Sequence, residues 1–427
     1  MKATKAPTRY PATPLDGMLD IARFLHDGQG RWVLTFSGRL DPERLARAIE
    51  LSFDAEPVLG CRFVAHPWRP YWERLPHEQR ASAFSIVKTE DGINAWMRTS
   101  LDASRDVQIQ ACLFRGPEEK LAFKLSHDAG DSSGMLDYLS LVSRIYRELG
   151  SNPAYVPPPQ AGRIGQGPIL RNVGLRRLLR GWRHYSYADP GVDSPIEVPR
   201  GVPVFASRRV EPEDFARIRE YCRAHGVTVH EVIFAAFYRS QYRVLAPPPA
   251  AVLTLPIPMD LRRFLPSGTE CGICNLSVVY FAGVRNQSFD QVVLDVHRLM
   301  ASARSNEPWL GQSVLIQLAF LLPYGVVRRI ARRSVSRQVA TGRIHPYISN
   351  FGIIDLRRFD FGDAVPCNVE HFPLLPNHYV PIYSVQTVGN VLTVTISTWD
   401  EPDGRKAERL LDAYVRELPG QASPAIS

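Results

Sequence analysis

The sequence predicts an α/β protein of the α+β kind, built as two lobes of similar size joined by a long crossover. Three observations lead there. The chain has 427 residues, enough for two or three ordinary domains. Segments with strand period and segments with helical period are mixed on both sides of the middle, without the regular repeat of a doubly wound parallel sheet. In the middle, Pro153, Pro157, Pro158 and Pro159 with Gly162, Gly165 and Gly167 break all periodicity. The expected division is an N-terminal lobe over 1–160, an extended, basic, Pro- and Gly-rich linker over 161–204, and a C-terminal lobe over 205–427.

Taken in order, residues 31–38 alternate as a strand. Residues 42–53 place Leu45, Ala48, Ile49 and Phe53 at helical spacing behind Asp41-Pro42, an N-cap followed by a first-turn proline. Residues 107–114 and 120–126 read as strands around the turn Gly116-Pro117. A helix with Leu136, Leu139, Val142, Tyr146 and Leu149 on one face follows, with Gly150 as its stop. Trp68, Tyr71 and Trp72 read as core or capping aromatics. In the second half, 213–225 and 229–242 read as helices, 252–258, 276–284 and 391–399 as strands, and 404–418 as a terminal helix.

Composition excludes several classes. With 45% hydrophobic and 22% charged residues the chain is an ordinary folded protein, neither disordered nor fibrous. Six cysteines are too few for a disulfide scaffold. The first twenty residues lack the apolar core of a signal peptide, and the apolar run 314–327, interrupted by Gln317, Pro323 and Tyr324, is too short to span a bilayer. A soluble cytoplasmic protein is the expectation. The net charge of +8 suits anionic ligands, an acidic partner or an anionic surface.

The most informative stretch is Ser126-His127-Asp128-Ala129-Gly130-Asp131-Ser132-Ser133-Gly134, a loop between a strand and a helix. Two chemistries overlap in it. His127 and Asp131 form His-x-x-x-Asp: a neutral imidazole takes a proton near pH 7, and a carboxylate four residues on shapes the loop or caps the helix. Gly130-Asp131-Ser132-Ser133-Gly134 also fits Gly-x-Ser-x-Gly, a nucleophile elbow with Ser132 as nucleophile and a later histidine, His371 or His378, as its base. The missing strand–helix alternation upstream speaks against the second reading.

The order of landmarks along the chain resembles the CoA-dependent acyltransferase superfamily, which includes condensation domains, alcohol acyltransferases and chloramphenicol-acetyltransferase-like proteins. The family motif His-His-x-x-x-Asp-Gly reads Ser126-His127-Asp128-Ala129-Gly130-Asp131-Ser132 here, with serine at its first and last positions. Asp41-Pro42-Glu43-Arg44-Leu45, then Glu56-Pro57-Val58-Leu59-Gly60-Cys61-Arg62-Phe63, resembles the N-terminal helix and the strand after it. Gly226-Val227-Thr228-Val229-His230-Glu231-Val232, the block Pro258-Met259-Asp260-Leu261-Arg262-Arg263 with Gly272 and Asn275, and Ser349-Asn350-Phe351-Gly352 follow in family order, so that the likeness spans roughly 10–418. It implies two chloramphenicol-acetyltransferase-like lobes with a tunnel between them. It further implies His127 and Asp131 as the catalytic motif, with His127 as general base and Asp131 turned away to pair with Arg262. Ser126, Ser132, Ser133, Gly134, Asn350 and Gly352 would border substrate. The co-substrate would be acyl-CoA or a phosphopantetheinyl thioester, the acceptor an alcohol or amine, with no bound cofactor.

Two segments carry arginine without acids: Arg163, Arg171, Arg176, Arg177, Arg180 and Arg183, and Arg328, Arg329, Arg332, Arg333, Arg337 and Arg343. They suit CoA phosphates, an acidic acyl carrier protein or peripheral contact with an anionic membrane. No nucleic-acid-binding module accompanies them, so no nucleic-acid partner is expected. Cys271-Gly272-Ile273-Cys274 lacks a second ligand pair, so no metal is expected.

Overall fold

The computed structural model describes residues 7–159, 162–185, 201–341, 345–377, 380–400 and 405–420. Residues 186–200 of the expected linker, Arg343, His378 and Gly404 lie outside them.

The N-terminal half builds a five-stranded sheet in the order Pro366–Phe372, Gln29–Phe36, Glu119–Ser126, Ile109–Arg115, Phe84–Val87; only the last pair is parallel. The helices Pro42–Ala55 and Ser132–Ser151 supply apolar faces to one core with this sheet. The first forms as its sequence dictates: the Asp41 carboxylate accepts from the amides of Glu43 at 3.0 Å and Arg44 at 3.1 Å, and Pro42 sits where a missing N–H costs nothing. The helix Ser132–Ser151 runs past Gly150 and ends at Asn152, whose amide bonds the Glu148 carbonyl at 2.8 Å; Gly150 keeps helical geometry and is not the stop.

The C-terminal half has its own core beneath a four-stranded sheet, ordered Tyr347–Ile353, Ile382–Val388, Val391–Asp400, Val202–Val210, and a hairpin of Val252–Asp260 with Ser277–Arg285. The two halves interlock. The strand Pro366–Phe372 leaves the C-terminal half to pair antiparallel with Gln29–Phe36, and the register sets His371 opposite Trp32. Ile273, Ile354 and Phe359 enter the N-terminal core, while Leu15 and Ile21 enter the C-terminal one.

The linker is not extended throughout: its last residues enter the strand Val202–Val210, but its first part is folded. It holds two helices, Gly167–Val173 and Leu175–His184. Pro168 lies in the first turn of one, and Gly174 at φ +76° makes the corner between them. Gly181 of the second helix meets Gly311 of the helix Pro308–Ala319 so closely that a Cβ on Gly181 would lie 2.6 Å from the Glu307 carbonyl oxygen. The apolar run 314–327 is broken between Pro308–Ala319 and the helix Tyr324–Ala340. No helix among the described residues is long and apolar enough to cross a membrane. Trp72 is fully buried as expected of a core aromatic, but Trp68 is not in the core: it is 63% exposed at the tip of a turn.

Candidate active site

A cavity of about 340 Å³ opens where the two sheets approach each other, lined from both halves of the chain. Gly30, Trp32, His127, Gly130, Asp131, Ser132 and Ser133 come from the N-terminal half; Asp260, Ser277, Ser349, Asn350, Phe351 and His371 come from the C-terminal half. Leu125, Met135, Leu136 and Ile382 complete an apolar wall.

His127 leaves the end of the strand Glu119–Ser126, its amide tied to the Gly28 carbonyl at 2.8 Å. Its ring borders the cavity, and its enclosed Nδ1 has no hydrogen-bond partner among the described residues. The imidazole is therefore held by its backbone and left chemically uncommitted.

Asp131 is the opposite case. It is 3% exposed and is the N-cap of the helix Ser132–Ser151. One oxygen accepts from the Gly134 amide at 3.0 Å; the other accepts from Arg262 Nη1 at 2.9 Å, the Leu276 amide at 2.8 Å and Ser277 Oγ at 3.1 Å. Burial alone would raise its pKa, but the Arg262 guanidinium and the other donors outweigh burial and hold the carboxyl below its ordinary value. Both carboxylate oxygens are engaged, and the pairing with Arg262 that the resemblance implies is present. Arg262 Nη2 also donates to the Cys274 carbonyl at 2.9 Å, joining the loop to the segment 271–275. Arg163 donates to the carbonyls of Ala129 and Ile273, both at 2.5 Å, and braces the same junction.

The remaining expected residues divide. Ser132 and Ser133 border the cavity at the start of the helix, and Ser133 Oγ donates to Asp260 at 2.7 Å. Asn350 borders it too, its side chain 3.0 Å from His230 Nδ1. Three others do not. Ser126 is buried at the strand end beneath the loop, where its carbonyl accepts from the amides of Ala129 and Gly130. Gly134 faces Ile273 and Cys274 rather than the cavity. Gly352 takes φ +66° at the irregularity in the strand Tyr347–Ile353, a backbone position that favours glycine.

Sequence reasoning missed the cavity's second histidine as a partner of His127. His371 is buried between the rings of Trp32 at 4.6 Å and Phe351 at 4.5 Å, with Nδ1 2.9 Å from Ser384 Oγ. Burial first, then electrostatic interaction with His127 and Arg31, push its pKa down to about 3, so it is neutral across the physiological range. Its Nε2 faces Gly30, where a Cβ would stand 3.3 Å away; the absence of a side chain there leaves that nitrogen open to the cavity. Nothing local marks His371. Its place follows from a cross-half strand register that no single segment encodes.

The elbow reading does not find its parallel-sheet context here. The strand before Ser132 is antiparallel to both neighbours, and Ser132 Oγ has no histidine partner among the described residues. His371 Nδ1 is engaged by Ser384, and His378 lies outside the described residues. Among the described residues no group of three or more His, Cys, Asp or Glu is arranged to hold a metal ion. The Cys271 thiol is held down near 6 by the Cys274 thiol hydrogen-bonded to it and by Arg262, with burial opposing, and Cys274 is raised in return.

Solved structures share this architecture. The first condensation domain of the calcium-dependent antibiotic synthetase superposes with a TM-score of 0.69 at 17% identity, covering 96% of each chain. Trichothecene 15-O-acetyltransferase from Fusarium sporotrichioides gives 0.65 at 11% identity, covering 96% of this chain and 95% of that one. Polyketide synthase associated protein 5 from Mycobacterium tuberculosis gives 0.62 at 14%, covering 96% and 98%. No protein-family model and no curated protein sequence matches the chain. The chain has the two-lobed fold of condensation domains and chloramphenicol-acetyltransferase-like proteins.

Proposed function

We propose that the protein is an acyltransferase that moves an acyl group from a CoA or carrier-protein thioester to an alcohol or amine. The observation that carries this reading is the His127 imidazole, set at a strand end at a cavity lined by both halves, with an enclosed Nδ1 that no group among the described residues satisfies. His127 takes the proton of the acceptor as its oxygen or nitrogen attacks the thioester carbonyl. The carbonyl π electrons move to oxygen, and the N–H groups of Ser132 and Ser133, in the first turn of a twenty-residue helix, face the developing charge. Collapse of the intermediate breaks the C–S bond, and protonated His127 returns the proton to the leaving thiolate. Asp131 and Arg262 position the loop that carries His127. Neutral His371 offers a hydrogen bond to acyl or acceptor from the opposite wall.

The test is thiol release from a panel of acyl-CoAs, with and without pooled alcohols and amines, for wild type, His127→Ala and Ser132→Ala. Acceptor-dependent release, reduced about 10²–10⁴-fold in His127→Ala and largely kept in Ser132→Ala, is the expected result. Acceptor-independent hydrolysis abolished by Ser132→Ala would replace the transferase with a hydrolase.

A further inference from the structure

The turn that carries Trp68 docks on the connection between the helices Pro308–Ala319 and Tyr324–Ala340. Arg69 Nη1 donates to the Leu322 carbonyl at 2.8 Å, the Gly325 amide to the Pro67 carbonyl at 2.7 Å, and the Tyr324 amide to the Trp68 carbonyl at 3.1 Å. These backbone ties fix a shared apex whose large side chains point outward. Trp68 is 63% exposed, Leu321 72% and Ile330 59%, with Leu322 and Val326 exposed between them. A cluster of this kind on a folded surface marks a contact site rather than scatter.

The charge around the apex is one-sided. From Pro308 to Ile354 the sequence contains no Asp or Glu. The helix Tyr324–Ala340 carries Arg328, Arg329, Arg332, Arg333 and Arg337. Arg328 lies 3.4 Å from Asp20, and Arg332 stacks on Phe24 at 4.2 Å. Arg329, Arg333 and Arg337 are exposed and have no carboxylate within ion-pair distance among the described residues. Val326, Ile330, Arg333 and Arg337 follow one another at three- and four-residue steps, so one face of the helix passes from apolar to cationic along its length.

We propose that this apex and helix face dock the protein on an anionic lipid surface, with Trp68, Leu321 and Leu322 entering the headgroup boundary and Arg329, Arg333 and Arg337 meeting lipid phosphates or carboxylates. The commitment to lipid rests on the combination. Unpaired arginines select an anionic partner, and a projecting tryptophan with adjacent leucines is suited to an interface that accepts ring and alkyl side chains at variable depth. An acidic protein would satisfy the arginines but needs a complementary relief for the apolar tip. The inference depends on the surface alone and stands apart from the chemistry proposed for His127.

The experiment is co-sedimentation of the full chain with vesicles of neutral phosphatidylcholine, and of phosphatidylcholine with 30 mol% phosphatidylserine, at about 0.05 and 0.5 M salt. Binding to the anionic vesicles that falls at high salt, and little binding to neutral ones, is expected. Arg329→Gln with Arg333→Gln should lower the partition coefficient roughly 30-fold, from about 1 kcal/mol for each arginine near the surface. Trp68→Ser with Leu321→Ser should reduce it comparably. Arg47→Gln with Arg105→Gln removes the same charge elsewhere and should leave most of the binding. All these side chains are exposed, and an unchanged melting temperature verifies each fold. Absence of binding to anionic vesicles at low salt overturns the proposal, and so does binding that the apex variants leave intact, which would assign the surface to a protein partner instead.

Discussion

Replacing Arg262 with methionine would leave Asp131 as a buried carboxylate without its cation. Asp131 accepts four hydrogen bonds, and three come from neutral donors that would survive: the amides of Gly134 and Leu276 and the Ser277 hydroxyl. Removing one partner of a buried ion pair costs about 3–5 kcal/mol. The three remaining bonds to a charged acceptor put the Arg262→Met loss at the low end, about 3 kcal/mol. Asp131→Asn keeps a cap for Gly134 but turns an N–H₂ toward the Leu276 amide or loses that bond, and it strands Arg262 with the more distant Asp260 carboxylate at 3.3 Å. A similar cost follows. The double variant buries no lone charge, so its loss should fall short of the sum by about 2 kcal/mol. The expected loss is local to the loop, so the readout is native-state hydrogen exchange at the Gly134 and Leu276 amides, which donate to Asp131 directly. Single-variant effects below about 1 kcal/mol, or strictly additive ones, would refute the ion pair as the element that sets the loop.

Further outcomes follow from the same surroundings. Burial pushes the Asp128 carboxyl up to about 8, with Asp20 and Asp16 adding to the effect and Arg23, 3.5 Å away, opposing it. Between its ordinary value near 4 and about 8 the folded protein holds a proton that the unfolded chain has released, so raising the pH favours unfolding by about 1.4 kcal/mol per pH unit. Asp128→Asn should flatten the fall in melting temperature from pH 5 to 8, and an unchanged slope would reject the assignment. Gly30→Ala places a methyl against His371 Nε2 and should lower transfer roughly tenfold while the melting temperature stays level. Because His371 is neutral above about pH 3, His371→Gln should lower the maximal rate without moving the acid limb of the pH–rate profile; a shifted limb would make His371 the titrating base. Gly181→Val must separate two helices that touch through Gly181 and Gly311, and should cost about 1–3 kcal/mol in denaturant unfolding.

What the sequence made legible was local. Asp41-Pro42 starts a helix through contacts within three residues, and the two strands within 109–126 pair around a short turn, so their signals sit beside the structure they produce. The loop from Ser126 to Gly134 was legible for the same reason: a histidine at a strand end and an aspartate at a helix start define each other's positions. Gly150 misled because a helix ends where its last amide finds another partner, and Asn152 N still reaches the Glu148 carbonyl. The motif that the loop resembles places Ser126 beside substrate, at the position of its first histidine. A strand alternates its faces, however, and the cavity meets His127 while Ser126 stays beneath it. His371, offered by the sequence only as a base for Ser132, has a place that was hidden for a deeper reason. Its neutrality, its open Nε2 and its place in the cavity depend on Trp32, Gly30, Phe351 and Ser384, brought together by one strand crossing between halves and by a parallel pairing in the second sheet. Each of those residues is ordinary in its own segment. The chemistry arises only when the register is set, so a candidate base can be read from a motif, while the wall that orients what it acts on comes from the packing of the two sheets.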